Sequence, residues 1–147
     1  MDNGLSKKIL FEIEQINQLI NDSSPLFDLC KVREPDFIER CGIALILHSF
    51  YNGIVNILLL VNNNDIISGT KWHKDILIKA FDKSDKKLYM FRDDLKIPLI
   101  EYMQFRHFVR HTYGFQLKWE KMKNLLLNVK TQWEIIKEDI NLYIKNN

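Results

Sequence analysis

The stretch FRHFVRHTYG, from Phe105 to Gly114, places two arginines, two histidines and a tyrosine within ten residues. Histidine titrates near neutral pH and can act as a general base or a general acid. A guanidinium can hold a phosphate through two hydrogen bonds and stabilise the charge that develops on its oxygens. Together these side chains suit transesterification of an RNA phosphodiester, in which the RNA's own 2′-hydroxyl is the nucleophile and no metal is needed.

The spacing within this stretch decides which side chains can act together. His107 and His111 are four positions apart, as are Arg106 and Arg110, so each pair lies on one side of a helix. Arg106 and His111 are five positions apart and point about 140° away from each other on an ideal helix. They share a site only if the helix ends near His111, or if a second subunit completes a groove. Gly114, as a C′ residue in the left-handed conformation, predicts such an end.

Basic and aromatic side chains follow the arginines and histidines along the chain. Lysines, together with Arg110, could bind flanking phosphates, and aromatic rings could stack on an unpaired base. The candidates are Lys118, Lys121, Lys123, Tyr113 and Trp119. The opposing interpretation is a solvated basic helix end that complements the helix dipole and has no special role. Residue types and spacing alone leave both interpretations open.

Length and composition restrict the class of protein. The 147 residues are enough for one domain with a real core, and 46% hydrophobic with 27% charged residues is typical of a folded chain. A net charge of +2 is too small for a general nucleic-acid coat, so any basic surface must be local. Cys30 and Cys41 do not make a disulfide framework, and no signal-peptide core follows the first lysines. We therefore expect a cytoplasmic protein.

Apolar periodicity predicts helices along the chain, separated by short breaks. Ile9, Ile13, Ile16 and Ile20 share one face of a helix from about Leu5 into the low twenties, which NDSSP at 21–25 interrupts. Further helices are predicted from Glu34-Pro35-Asp36, over about Lys71 to Phe81, from Pro98, and over about Gln116 to Ile144, with loops at 61–70 and 82–94. No alternation typical of strands competes. We predict an all-α fold, an antiparallel helical bundle in a single domain spanning 1–147.

The segment from Gly42 to Val61 has no formal charge over twenty residues, the length of a membrane span. It also contains polar side chains, which are costly in lipid, so we interpret it as a buried helix of a soluble protein. Two apolar lines, one through Tyr51 and Val55 and the other through Phe50 and Ile54, lie on nearly opposite faces. We expect one line to pack within the subunit and the other to be covered by a partner.

Other polar side chains have simpler interpretations. His48 lies on an apolar line and is expected to be a hydrogen-bonded core histidine. Tyr51 and Asn52 are expected to satisfy polar groups in the same buried layer, and His73, beside Trp72, to pack or cap.

The order Arg106, four residues, His111, one residue, Tyr113 resembles the R-x4-H-x-Y motif of HepT-like toxins in the HEPN superfamily, small all-α ribonucleases of toxin–antitoxin systems. Three blocks resemble one HepT-like group: LHSFYNGI at 47–54, WHKDIL at 72–77 and FRHFVRHTYGFQLKWEKM at 105–122. The likeness covers roughly 35–126. The blocks in this order are considerably more specific than the short motif.

This resemblance implies a homodimer in which the motifs of both subunits form a composite, metal-independent endoribonuclease site without a cofactor. It implies catalytic roles for Arg106 and His111, with His107 and Arg110 as supporting residues. It also implies that Tyr113 is the tyrosine to which a minimal nucleotidyltransferase antitoxin adds AMP, as in a type VII-like toxin–antitoxin system. The added charge would obstruct entry of the RNA substrate, a tRNA or an mRNA.

Two alternatives stay open. The chain could be a non-catalytic helical module that binds a nucleotidyltransferase or a nucleotide without cutting RNA. It could also be a metal-binding bundle, because His107 and His111 form half of a zinc site. That second alternative is weaker, since zinc sites normally need three or four ligands and no third ligand is evident nearby.

Overall fold

The structure is a computed structural model that describes residues 1–63 and 72–147. In these two ranges the chain forms α-helices and short 3-10 turns, and no strand. The helices are α1 (Asn3–Asp22), α2 (Ser24–Val32), α3 (Phe37–Val61), α4 (Trp72–Lys79), α5 (Lys96–Arg110) and α6 (Trp119–Asn146), with 3-10 turns at Asp93–Leu95 and Gly114–Gln116. All six helices contribute to one hydrophobic cluster. The prediction of an all-α helical bundle is confirmed.

Most helix boundaries agree with the sequence pattern, and the differences have local causes. Pro25 lies in the first turn of α2. The predicted interruption is therefore a single residue, Ser23, between the end of α1 and the start of α2. Helix α5 begins at Lys96, and Pro98 lies in its first turn, where a missing N–H costs little. Helix α6 begins at Trp119 because the preceding residues form a 3-10 turn. The predicted loop at 61–70 and the start at Lys71 fall largely on 64–71, outside the described residues.

Helix α3 is the core helix of the bundle. It begins with a capping box, in which the Asp36 side chain accepts from the Glu39 N–H and the Glu39 carboxylate accepts from the Asp36 N–H, each at 2.8 Å. Helices α1, α4, α5 and α6 all contact it. Its length and hydropathy match a membrane span, but 56% of that window is buried inside the bundle. Such burial is what a core helix of a soluble protein requires.

The two apolar lines of α3 are both covered within one chain. Phe50 and Ile54 on one line are fully buried, and so is Tyr51 on the other, with Val55 4% exposed. The expectation that a partner subunit must cover the second line is therefore wrong. The reason is that neighbouring helices pack around α3 on several sides.

Helix α1 packs closely against α3 at Gly53. A Cβ at this position would lie 2.6 Å from Cγ1 and 2.8 Å from Cδ1 of Ile16, which is itself only 3% exposed. A larger residue therefore requires the Ile16 side chain, or the helix that carries it, to move. Gly42 lies on the same helix, and a Cβ there would meet nothing within 4 Å.

The segment between α4 and α5 is irregular, as predicted, and α6 holds it in place. Asp139 is 6% exposed, and its carboxylate accepts from the backbone N–H of Arg92 at 2.8 Å and from the guanidinium at 2.6 and 3.0 Å. Hydrogen bonds to a charged group at these distances are among the stronger ones in proteins. The start of α5, which carries the candidate site at its other end, is thereby fixed to the bundle.

We expect Gly53→Ala to lower the free energy of unfolding by about 1–3 kcal/mol, because the new methyl group overpacks the contact with Ile16. Gly42→Ala is the matched control on the same helix. It should raise the free energy of unfolding by about 0.5–1 kcal/mol, because alanine is the better helix former and has space. Urea denaturation followed by circular dichroism measures both. Changes of the same sign in the two variants would contradict the close approach at Gly53.

Candidate functional site

Helix α5 ends inside the motif found in the sequence. Its last residue is Arg110, and His111 is the C-cap, with φ −122° and ψ 18° and its N–H bonded to the Phe108 carbonyl at 3.1 Å. The 140° separation of an ideal helix therefore does not apply to Arg106 and His111. Ending the helix here brings both side chains to the wall of one cavity.

Gly114 has a different role from the one predicted. Its φ does not lie in the left-handed region, and it begins a 3-10 turn instead of acting as a C′ residue. A Cβ at Gly114 would lie 3.2 Å from Cζ of Phe37 and 3.4 Å from Sγ of Cys41. The turn therefore packs closely against the first part of α3, and a side chain at position 114 would require Phe37 to shift.

The cavity at the end of α5 has a volume of about 500 Å³. Its wall includes Arg106, His107, Arg110 and His111 of the motif, together with Trp72 and His73 from the start of α4. Volumes of this order are typical of sites for small ligands or for one residue of a polymer. The fold thus brings the two arginines, both motif histidines and a third histidine to one concave surface.

Arg106 is half-buried and is held by neutral partners. Its Nε donates to Oδ1 of Asn52 at 2.6 Å, and Nη1 lies 3.5 Å from Nε2 of His73. Burial first and the charge of Arg110 second lower its pKa, but an arginine stays protonated at neutral pH. Within 1–63 and 72–147, no carboxylate forms an ion pair with Arg106 or Arg110. Two cations with no carboxylate partner among the described residues give this wall of the cavity a positive charge.

Asn52 orients the guanidinium through a short chain of polar groups on α3. Because Nε of Arg106 can only donate, the amide oxygen must face it, and Nδ2 is directed at Nδ1 of His48, 3.2 Å away. Nδ1 of His48 must then be unprotonated. Burial, followed by the charges of Arg106 and Arg110, lowers the pKa of His48, in agreement with a neutral ring. The prediction that His48 is hydrogen-bonded is confirmed.

His73 joins Arg106 to an aromatic surface. Its ring stacks on the indole of Trp72, with ring centroids 3.5 Å apart and planes at 29°. Burial, then Arg106 and Arg110, lowers the pKa of His73 from 6.5 to about 4, so the ring is neutral at physiological pH. Nδ1 is buried without a hydrogen-bond partner among the described residues. Packing beside Trp72 was predicted, whereas the contact with Arg106 was not.

The direct contacts of Asn52 and His73 with Arg106 are not predicted by the sequence patterns. Asn52 is 54 positions away from it and His73 33 positions away, so no local spacing relates them. The signal that could have indicated these residues is the resemblance of the sequence blocks to HepT-like proteins, because LHSFYNGI contains Asn52 and WHKDIL contains His73.

The remaining candidates are distributed around the cavity. The rings of His107 and His111 are exposed, with centroids 4.7 Å apart. Tyr113 is not among the lining residues; it is 73% exposed and stacks on Phe115 with ring centroids 5.7 Å apart. Within the described ranges, no group of three or more His, Cys, Asp or Glu side chains could hold a metal ion.

The lysines and the tryptophan that follow the motif have different environments. Lys118, Lys121 and Lys123 are exposed, and Nζ of Lys121 lies 4.3 Å from the ring centroid of Phe108. Trp119, by contrast, is 7% exposed and belongs to the core. The expectation that Trp119 stacks on a base is therefore wrong, because the core covers its ring.

Tyr51 also differs from expectation. Its hydroxyl is buried without a hydrogen-bond partner among the described residues, so it does not satisfy a neighbouring polar group. Burial is the main cause that raises the pKa of Tyr51 above its ordinary value, and the positive charge of Arg106 acts in the opposite direction. The hydroxyl is thus neutral.

The lowered pKa of His73 predicts a specific pH dependence of stability. Below pH 6.5 the unfolded chain takes up a proton at this histidine, while the folded chain resists protonation down to about pH 4. Stability is therefore lost as pH falls from 6.5 to 4. We expect His73→Gln, which keeps a hydrogen-bonding side chain but does not titrate, to lose less stability in this window than the wild type. Urea midpoints measured across the window test this, and parallel curves for the two proteins would contradict it.

Comparison with known proteins identifies the family of this chain. Residues 42–147, more than half of the chain, match a family model described as HepT-like protein, which confirms the resemblance seen in the sequence blocks. Searches of curated proteins and of solved structures found no match. The matched span contains Asn52, His73, Arg106, His111 and Tyr113. The chain belongs to the HepT-like protein family.

Proposed function

We propose that this HepT-like protein is a metal-independent endoribonuclease toxin of a type VII-like toxin–antitoxin system. The observation that supports this most directly is Arg106, a half-buried guanidinium held by an amide and without a carboxylate partner among the described residues. Such a group binds phosphate well because its charge is available and its orientation is fixed. His111 lies on the same cavity wall and supplies a group that can move a proton.

In the proposed reaction the 2′-hydroxyl of the RNA attacks the adjacent phosphorus. A neutral histidine takes the hydroxyl proton as the O2′–P bond forms, and a protonated histidine gives a proton to O5′ as the P–O5′ bond breaks. The products are a 2′,3′-cyclic phosphate and a 5′-hydroxyl. Arg106 donates to the non-bridging oxygens, whose charge grows in the transition state. His107 and Arg110, on the same wall, support binding of the phosphate.

Two histidines in different protonation states are needed, and a homodimer would supply them. In the described residues no hydrogen bond orients the His111 side chain, whose only ring contact is with His107 at 4.7 Å. Catalytic histidines are usually oriented by a partner group. A second protomer placed against this cavity would contribute its own His111 and could orient the first. The composite site of a homodimer is therefore part of the proposal.

Regulation in this proposal acts through Tyr113. The side chain is 73% exposed, two positions after His111, and so is accessible to a minimal nucleotidyltransferase antitoxin in the cytoplasm. Attachment of AMP would place a bulky anionic group beside the cationic cavity and repel an incoming RNA strand. Exposed Lys118 and Lys121 follow in the chain and would bind flanking phosphates in the unmodified toxin.

A non-catalytic module that binds a nucleotidyltransferase or a nucleotide is the second candidate. The observation that favours it is the same exposed, unoriented His111 ring, because anion binding by Arg106 does not require it. The two candidates differ in whether RNA is cut.

We expect the purified protein to cleave single-stranded RNA or tRNA in excess EDTA and to leave 2′,3′-cyclic phosphate ends. His111→Ala should lower the rate by about 100-fold or more, the usual contribution of a general acid or base. Gel analysis of end-labelled RNA measures this, with circular dichroism to show that the variant is folded. Mass spectrometry must first show that Tyr113 is unmodified. Full activity of His111→Ala would rule out its catalytic role, and an inactive, unmodified wild type would favour the binding module.

The contact between Asn52 and Arg106 generates a second test of the function. Asn52→Ala should lower the cleavage rate about tenfold to a hundredfold, the equivalent of one hydrogen bond to a charged group. Asn52→Asp should also be impaired, because a carboxylate would neutralise Arg106 and compete with the phosphate. Asn56→Ala is the matched control one turn along α3, where the amide contacts Glu12 at 3.5 Å, and should cleave at the wild-type rate. Equal rates for Asn52→Ala and Asn56→Ala would show that Asn52 does not position the arginine.

A further inference from the structure

One part of the cavity is aromatic and uncharged, and the reaction proposed above does not use it. Trp72, His73 and Met103 line this part, which we name the aromatic subsite. We propose that the aromatic subsite binds the base of an unpaired nucleotide whose phosphate is held by Arg106 and Arg110. This inference rests on the proposed function in one respect, namely that the natural ligand is RNA.

The aromatic subsite is continuous with the phosphate-binding arginine. The indole of Trp72 stacks on His73 at 3.5 Å, and Nε2 of His73 lies 3.5 Å from Nη1 of Arg106. A single imidazole ring therefore separates the indole from the guanidinium. In a nucleotide, a single ribose ring separates the base from its phosphate. A bound nucleotide can thus contact the aromatic surface and the cationic surface together.

The charge state of His73 suits a base and not a second phosphate. Nη1 of Arg106 can only donate, so a hydrogen bond between the two requires Nε2 of His73 to be unprotonated. The ring is then neutral, in agreement with its lowered pKa. A neutral, half-buried aromatic pair stacks on the face of any base but gives no attraction to a phosphate. Besides Arg106 and Arg110, the cavity wall includes one further cationic side chain, the exposed Lys74.

The dimensions of the cavity favour a single unpaired base. Its volume of about 500 Å³ is in the range of sites for one small ligand, and a base within a duplex is already stacked on both sides. Using the aromatic subsite on a duplex would require unstacking and unpairing, which costs a few kcal/mol. Gln104 also lines the cavity and carries an amide that can donate to or accept from the edge of a base. The ligand class is therefore a nucleotide in single-stranded RNA or in a loop.

Nucleotide binding can be measured without any cleavage. The wild type would be titrated in EDTA with adenosine 5′-monophosphate and uridine 5′-monophosphate, and separately with ribose 5-phosphate and inorganic phosphate, by isothermal titration calorimetry. Tryptophan fluorescence locates the site, because Trp119 and Trp133 are 7% and 1% exposed whereas Trp72 is only partly buried and lines the cavity. We expect saturable quenching by the nucleotides, with affinities at least about tenfold above that of ribose 5-phosphate.

Variants of Trp72 test whether stacking is responsible. Trp72→Ala should weaken nucleotide binding by about tenfold, equivalent to ~1.4 kcal/mol, and leave ribose 5-phosphate binding unchanged. Trp72→Phe should restore most of the affinity and guards against a folding defect in the alanine variant. Phe115→Ala removes an aromatic ring that is 65% exposed but does not line the cavity, and should bind nucleotides as the wild type does.

The outcomes separate this inference from the proposed function. If the nucleotides bind in a Trp72-dependent manner but the wild type does not cut RNA, the aromatic subsite stands and the ribonuclease proposal fails. If the wild type cuts RNA but ribose 5-phosphate binds as tightly as the nucleotides, the aromatic subsite is overturned and the ribonuclease stands. Unchanged nucleotide affinity in Trp72→Ala, or no saturable nucleotide binding by the wild type, also overturns it.

Discussion

Helix α3 has apolar side chains on nearly all its faces, and it can be stable in water only where other helices cover it. Helices α1, α4, α5 and α6 supply this cover, and α1 packs so closely that a Cβ at Gly53 would clash with the Ile16 side chain. Where α3 is enclosed, a half-buried polar side chain such as Asn52 loses part of its access to water and gains from a partner on a covering helix. The contact of Asn52 with Arg106 supplies that partner. The candidate site is thus formed where an apolar core helix contains a polar interruption.

The choice of an amide at Asn52 has consequences for the charge of the site. A carboxylate would hold a guanidinium more strongly but would also neutralise it. Asn52 and His73 fix the direction of Arg106 without neutralising it, and among the described residues no carboxylate forms an ion pair with it or with the second cation, Arg110. A half-buried unpaired charge reduces the stability of the folded chain, and binding of an anion removes that penalty. Local destabilisation of this kind is typical of functional sites.

The sequence predicted the helices well because apolar periodicity reports directly which face of a helix is buried, as with the four isoleucines of α1. It was less reliable wherever one residue type serves two purposes. A proline after a helix can end that helix or lie in the first turn of the next one, and Pro25 does the latter. A glycine can permit a left-handed φ or a close contact, and Gly114 does the latter. Choosing between these roles requires neighbours such as Phe37, distant in sequence. The motif itself was found, but its partner Asn52 and the burial of Trp119 depend on tertiary packing.

The two residues of the proposed catalytic pair are prepared to different degrees by the fold. Arg106 extends from the body of α5 and is fixed by a hydrogen bond of 2.6 Å. His111 lies just beyond the helix end, near the ring of His107, and no hydrogen bond within the described residues orients its side chain. A phosphate can therefore bind to a preorganised group before the proton-transferring group is in place. In the proposed function, the orientation of His111 would then depend on what approaches the cavity, whether a second protomer or the RNA itself. Because Tyr113 follows two positions later on the same exposed turn, a modification there acts on the part of the site that the fold leaves least constrained.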